Sequence, residues 1–169
     1  METTLGYYTL EDRDNPDEIE RHGPFKCTSS TAWLGHGYYF WDNDLDRAHK
    51  WGIQSYKEGY VICETSLNLT GLLDLCSISG KKELQTLLQV LKEEMPEYRQ
   101  KKIPIGKAIM HLRQIAQKPR FKNIFPYHAT RADDCPEDAR IYFVLGKPEF
   151  TCLNPRVQIC VYERQSVLL

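Results

Sequence analysis

Gly35-His36-Gly37-Tyr38-Tyr39-Phe40, followed by Ala48 and Trp51, is the stretch on which the reading of this chain turns. Two glycines around one residue permit a tight turn and a close approach of backbone to a ligand, because neither carries a Cβ. The two tyrosines and the phenylalanine behind them suit a strand with one face on the core and one open. Asp42-Asn43-Asp44-Leu45-Asp46-Arg47-Ala48-His49-Lys50-Trp51 then reads as a helix start. Asn43 or Asp44 is its N-cap, and acidic residues fill the first turn. Turn, strand and helix together form a slot for a flat aromatic ring; the plainer reading is an aromatic core strand behind a tight turn.

Working outward, Tyr7-Tyr8-Thr9 reads as a strand, and residues 15–23 as a short helix with Asn15 as cap, Pro16 at its first position and Gly23 at its stop. Residues 59–67 read as a further strand. Leu84, Leu87, Leu88 and Leu91 recur at helical spacing in residues 81–95, and Ile105, Ala108, Ile109, Leu112 and Ile115 do so in 104–117, with Pro104 marking the start. This pair is expected to cover the core, with substrate recognition as its alternative role. Residues 128–134, with His128, Arg131, Asp133 and Asp134, read as a turn dense in titratable groups. Strands are expected over 140–145, bounded by Gly146-Lys147-Pro148, and over 156–162. In the latter, Val157, Ile159 and Val161 share one face and Gln158, Cys160 and Tyr162 the other. The aliphatic face belongs in the core, which turns Gln158 toward any cleft.

A chain of 169 residues is expected to be one domain, 1–169, with a helical insertion at about 79–118. Its formal net charge of −1 provides no global field for a nucleic acid or an anionic membrane. The basic clusters at 99–102 and 118–122 read as solvated helix ends or loops. Cys27, Cys63, Cys76, Cys135, Cys152 and Cys160 form no C-x-x-C pair, which argues against a zinc site or a disulfide framework and for reduced thiols in the cytoplasm. The first six residues have neither a positive n-region nor an apolar stretch, so no secretory signal is predicted, and no apolar segment reaches spanning length. Ser29 and Ser30 sit on the loop before the signature, without His-Asp partners at readable spacing.

The stretch 35–40 resembles the Gly-x-Gly-Ile/Phe-Tyr-Phe signature of the ADP-ribosyltransferase superfamily, in its poly-ADP-ribose-polymerase-like and diphtheria-toxin-like branch. Residues 59–67 resemble the strand that follows the signature, residues 7–9 and 15–23 the order that precedes it, and 156–162 the final motif strand. The likeness skips residues 75–125. It implies an α+β fold of two packed small, mainly antiparallel sheets around a cleft for NAD, here carrying the inserted helical pair. It implies a mono-ADP-ribosyltransferase that moves ADP-ribose from NAD to a protein, less favourably to a nucleic acid, and suits a toxin or effector. The alternative is a catalytically degenerate module that binds NAD, ADP-ribose or a protein surface.

Carried over by position, Tyr39 is the ring platform and Trp51 the second wall, with Lys50 competing for that place. Gly37 and Tyr38 belong to the same binding stretch. The first motif falls on Tyr8 and Thr9, where the family has a histidine or arginine; either hydroxyl would serve a ribose. The final motif puts Gln158 where a glutamate is commonest, and glutamine hydrogen-bonds without carrying charge. Elongation into poly-ADP-ribose is therefore not expected. Arg131 is a candidate for the NAD diphosphate, since guanidinium forks match phosphate oxygens, with a salt bridge to Asp133 or Asp134 as the plainer reading. His128 is a candidate replacement for the missing first-motif histidine, and His36 is expected to be exposed.

Overall fold

The computed structural model describes residues 2–143 and 149–166. β1 (Thr3–Glu11) leads through α1 (Pro16–His22) to β2 (Tyr38–Asp42), and α2 (Leu45–Ser55) follows at once. Next come β3 (Tyr60–Asn68), β4 (Leu72–Asp74), α3 (Ile78–Glu94) and α4 (Ile105–Ile115). The order ends with β5 (Ala129–Asp134), a hairpin of β6 (Arg140–Tyr142) and β7 (Phe150–Cys152), and β8 (Arg156–Val161). The class is α+β. Local chemistry accounts for the helix starts: Asp44 accepts the Arg47 N–H at 3.0 Å, and Ser77 accepts the Gly80 N–H at 3.0 Å. Of the strand expected over 140–145, Val144 and Leu145 lie outside the described residues, as do Gly146, Lys147 and Pro148.

Six strands form one sheet in the order β3-β1-β2-β8-β5-β4, and β6 with β7 forms a second, two-stranded one. Neighbours are antiparallel except for β4 and β5, which run parallel. Two sheets were expected, but their sizes differ sharply: one dominates and the other is a hairpin. The difference comes largely from residues 128–134, which are not a turn. They supply β5, paired on one side with β8 and on the other with β4. β8 pairs with the full length of β5, Asp133 and Asp134 included, which overrides the weak strand propensity of the two aspartates.

The large sheet curls. β3 and β4 are its two edges, yet Asn68 and Leu72 are only four Cα steps apart, ~15 Å at full extension. In a flat six-stranded sheet the outer strands would stand ~24 Å apart. His128 helps close the gap, donating its backbone N–H to Gly71 O at 3.3 Å, with Nε2 3.3 Å from Asn68 O. Phe40, Leu67, Ala129, Ile159 and Val161 consequently meet on the inner, concave face. The outer face is covered at one end by α3 and α4, whose Leu87, Leu91, Ala108, Ile109, Leu112 and Ile115 pack against Leu73, Ala132, Cys160 and Tyr162. At the other end lies α2.

Cys135 and Cys152 form a disulfide, which corrects the expectation of reduced thiols throughout; Cys27, Cys63, Cys76 and Cys160 are free. The bonded pair is 17 residues apart, a spacing that signals nothing by itself, and the β6–β7 hairpin brings the two Cα atoms to 5.7 Å. No helix among the described residues is long and apolar enough to cross a membrane.

Candidate functional site

β1 and β2 are in register at only two pairs, Gly6 with Asp42 and Tyr7 with Trp41. Beyond them the strands part, while β2 stays paired with β8 through Tyr38. Gly35, at φ +88°, turns the chain into β2. The gap is filled by the segment 25–33, pinned at Gly37 by two backbone hydrogen bonds with Cys27, of 2.8 and 3.1 Å. Between this segment, the outer face of β2 and β8, and α2 lies a cavity of about 680 Å³. That volume falls within the ~300–1,000 Å³ of ordinary ligand sites.

Register decides which side chains reach it. Tyr39 pairs with Cys160 and Trp41 with Gln158 across β2 and β8, and Gln158 pairs with Ala132 across β8 and β5. Tyr39, Trp41, Gln158, Arg156 and Asp134 therefore stand on one face, and all five line the cavity. Trp51 joins from α2, its ring 6.3 Å from that of Trp41; Lys50 does not line the cavity. Tyr8 and Thr9 reach it from the β1 lip. Thus Tyr8, Thr9, Tyr39, Trp51 and Gln158 converge from distant parts of the chain.

Gly37, Tyr38 and Arg131 do not line it. A Cβ on Gly37 would come within 2.5 Å of Cys160 Sγ and 2.6 Å of Val161 O, so this glycine serves strand packing. Tyr38 is one residue out of phase with Tyr39 and packs with the inner core, with Lys26 Nζ 6.0 Å from its ring centre. Arg131 pairs with Ile159 in the ladder, which sends its side chain to the inner face. There it binds Asp42 (Nε–Oδ2 2.7 Å, Nη2–Oδ2 2.6 Å) and approaches Asp74 at 3.8 Å. Burial is the largest influence and opposes the Arg131 charge, but the charge and hydrogen bond of Asp42 together with Cys76 and Asp74 outweigh it, and the net shift is upward. Its partner is thus neither Asp133 nor Asp134. His128 lies at the sheet closure, and His36 is half-buried beside a second, smaller hollow with Arg113 and Tyr127.

Hydroxyls in the cavity wall are largely committed. Tyr39 donates to Gly35 O at 2.7 Å and accepts the Leu34 N–H at 3.0 Å. Thr9 donates to Ala48 O at 3.0 Å, and the Tyr8 hydroxyl is shared with the backbone of Phe25. Burial pushes the Tyr39 and Tyr8 phenols up, so both are neutral donors near pH 7. What Tyr8 and Tyr39 offer a ligand is therefore their ring faces.

Comparisons with family models, with curated proteins and with solved structures find no match. The geometry adds residues that sequence reasoning missed. All three tryptophans of the chain, Trp33, Trp41 and Trp51, line this one cavity, as do Phe25 and Tyr56. A rim cation also replaces Arg131: Arg156, whose guanidinium pairs with Asp134 in two contacts, one of them Nε–Oδ1 at 2.7 Å. Period-two counting back from Gln158 would have found Arg156, because it shares that face. Trp33 carried no local signal, being held in place by tertiary contacts. Its indole Nε1–H donates to Gln158 Oε1 at 2.7 Å. Ser29 does rim the cavity, hydrogen-bonded to Thr31 at 2.8 Å, while Ser30 faces a separate hollow by α4.

Proposed function

We propose that this protein is a mono-ADP-ribosyltransferase that uses NAD as substrate and a protein as acceptor, a nucleic acid being the less favoured acceptor. The observation that carries the reading is the convergence of Tyr8, Thr9, Tyr39, Trp51 and Gln158 on one aromatic cavity. Each was carried over from the family resemblance separately. An electron-rich wall of Tyr39, Trp41 and Trp51 suits the cationic nicotinamide ring of NAD. Arg156 and Lys26 are the cations lining the cavity, and they suit its diphosphate.

In the reaction the bond between ribose C1′ and the nicotinamide nitrogen breaks. Nicotinamide leaves with the electron pair as a neutral molecule, the acceptor's lone pair bonds to C1′, and the acceptor loses a proton to water. Gln158 hydrogen-bonds the ribose, and the aromatic walls hold the ring during bond rotation and cleavage. The cytoplasm is the proposed site of action: Cys27, Cys63, Cys76 and Cys160 are free thiols, against which stands the Cys135–Cys152 disulfide, a bond that a reducing compartment opens. A toxin or effector role fits the same reading.

One observation favours the second reading, a degenerate NAD or ADP-ribose binder. Among the described residues, Asp134 is the only carboxylate lining the cavity, and Arg156 pairs with it. Charge that would support an oxocarbenium-like state is therefore already spoken for. Incubation with labelled NAD separates the two. Nicotinamide release with a discrete labelled protein is expected for the transferase. Thermal stabilisation by NAD without release would establish the binder, and neither effect would sink both.

A further inference from the structure

Trp33 and Gln158 are 125 residues apart in sequence and meet in the cavity wall at 2.7 Å. The indole N–H is a donor only, so the atom it meets must be the amide oxygen of Gln158. Both partners are held. Gln158 sits mid-strand in β8, paired with Trp41 on one side and Ala132 on the other. Trp33 precedes Leu34, which is fully buried and gives its N–H to the Tyr39 hydroxyl, and Gly35 N–H closes back on Ala32 O at 3.0 Å. Across the same turn, Gly106 of α4 packs so closely on Ala32 and Trp33 that it has no room for a Cβ.

We propose that Trp33 is a positioning residue that locks the Gln158 amide with its NH2 group turned to the cavity, making this point of the site a recogniser of an oxygen acceptor. A free glutamine offers a donor or an acceptor by a half-turn of its last torsion; here the half-turn would set the NH2 against the indole N–H. The ligand group that meets Gln158 is therefore a hydroxyl, carbonyl or carboxamide oxygen acting as acceptor. Glutamate in its place would keep the Trp33 bond with one oxygen and turn the other, charged, toward the cavity.

The lock itself is independent of the NAD reading; its effect on a substrate rests on that reading. The first arm follows the indole N–H resonances of the full chain, three in number, with Trp33→Phe assigning the one of interest. Gln158→Leu is expected to shift the Trp33 indole signal and speed its exchange with water about tenfold, as loss of one hydrogen bond would. An unmoved signal overturns the lock. In the second arm, NAD is titrated against the parent, Trp33→Phe, Gln158→Leu and the double variant, each checked by thermal melting. Trp33→Phe keeps an aromatic side chain but lacks the N–H donor, and is expected to weaken NAD about tenfold in the parent but hardly at all beside Gln158→Leu. Equal losses in both backgrounds would mean that Trp33 acts by its own contact, and overturn the positioning role. A moved indole signal with no NAD binding to any form would uphold the lock and remove the NAD reading.

Discussion

Arg131 and Arg156 stand on adjacent strands and each forms two contacts with an aspartate, yet they belong to opposite sides of the sheet and to different problems. Arg131 faces inward, against an Asp42 carboxylate whose side chain is 3% exposed, with Thr4 donating to the other oxygen at 2.6 Å. Arg156 faces outward at the cavity rim, and both it and Asp134 are substantially exposed, at 38% and 42%. A buried carboxylate must be paired or it costs stability, whereas a solvated pair adds little. The same chemistry is thus architecture on the concave face and, on the convex one, part of a cavity wall to which the proposed function gives a ligand. The faces are separated by a single residue of register.

Gly37→Ala should strike the closed side hardest, because the added Cβ meets the backbone of Val161 as well as Cys160 Sγ. Overpacking of this kind costs about 3 kcal/mol, read as a lower urea midpoint. A loss under half that would mean β2 and β8 are less tightly joined than the ladder indicates. Arg131→Met comes next, at about 2 kcal/mol, less than for a fully buried pair because 31% of the arginine side chain is exposed. Arg156→Met should change stability by under about 1 kcal/mol and weaken NAD binding about tenfold. If the two arginine variants exchanged phenotypes, the division of the faces would be reversed. Gln158→Glu should raise nicotinamide release, by placing a charge where the oxocarbenium-like state develops. Unchanged or lower release would remove Gln158 from that position.

The helices and the antiparallel strands near both ends were legible because their signals are local: the cap at Asp44, Pro16 at the first position of α1, leucines at helical spacing, alternation in β8. β5 was not, because Thr-Arg-Ala-Asp-Asp has no strand signature and becomes a strand only beside β8, with β4 adding a second partner at its first three residues. Arg131 was misplaced for the same reason, since a residue without an assigned strand has no assigned face. For the site, Tyr39, Trp51 and Gln158 came from motif position, while Trp33, Phe25 and Tyr56 depend on how far β1 and β2 part. That distance is set by tertiary packing and leaves no mark on nearby residues.

The smallest effect at neutral pH belongs to Cys160, two residues beyond Gln158 on the same face of β8. Gln158 borders the cavity, but Cys160 is fully buried beneath Gly35 and α4, and burial pushes its thiol from 9.0 up to about 12. A raised acid pKa means that the folded state holds its proton where the unfolded chain has released it. The unfolded state then binds fewer protons, so stability is unaffected below about pH 9 and falls as pH rises from 9 toward 12. Cys76, also pushed up to about 12 by burial, acts in the same window. Thiol labelling distinguishes the two ends of this face. Cys27 lines the cavity and is expected to react in the folded protein, more slowly when NAD is bound, while Cys160 reacts only on unfolding. Labelling of Cys160 at the rate of Cys27 would show that the cavity runs on beneath α4, and that the wall between ligand site and core stands elsewhere than at Gln158.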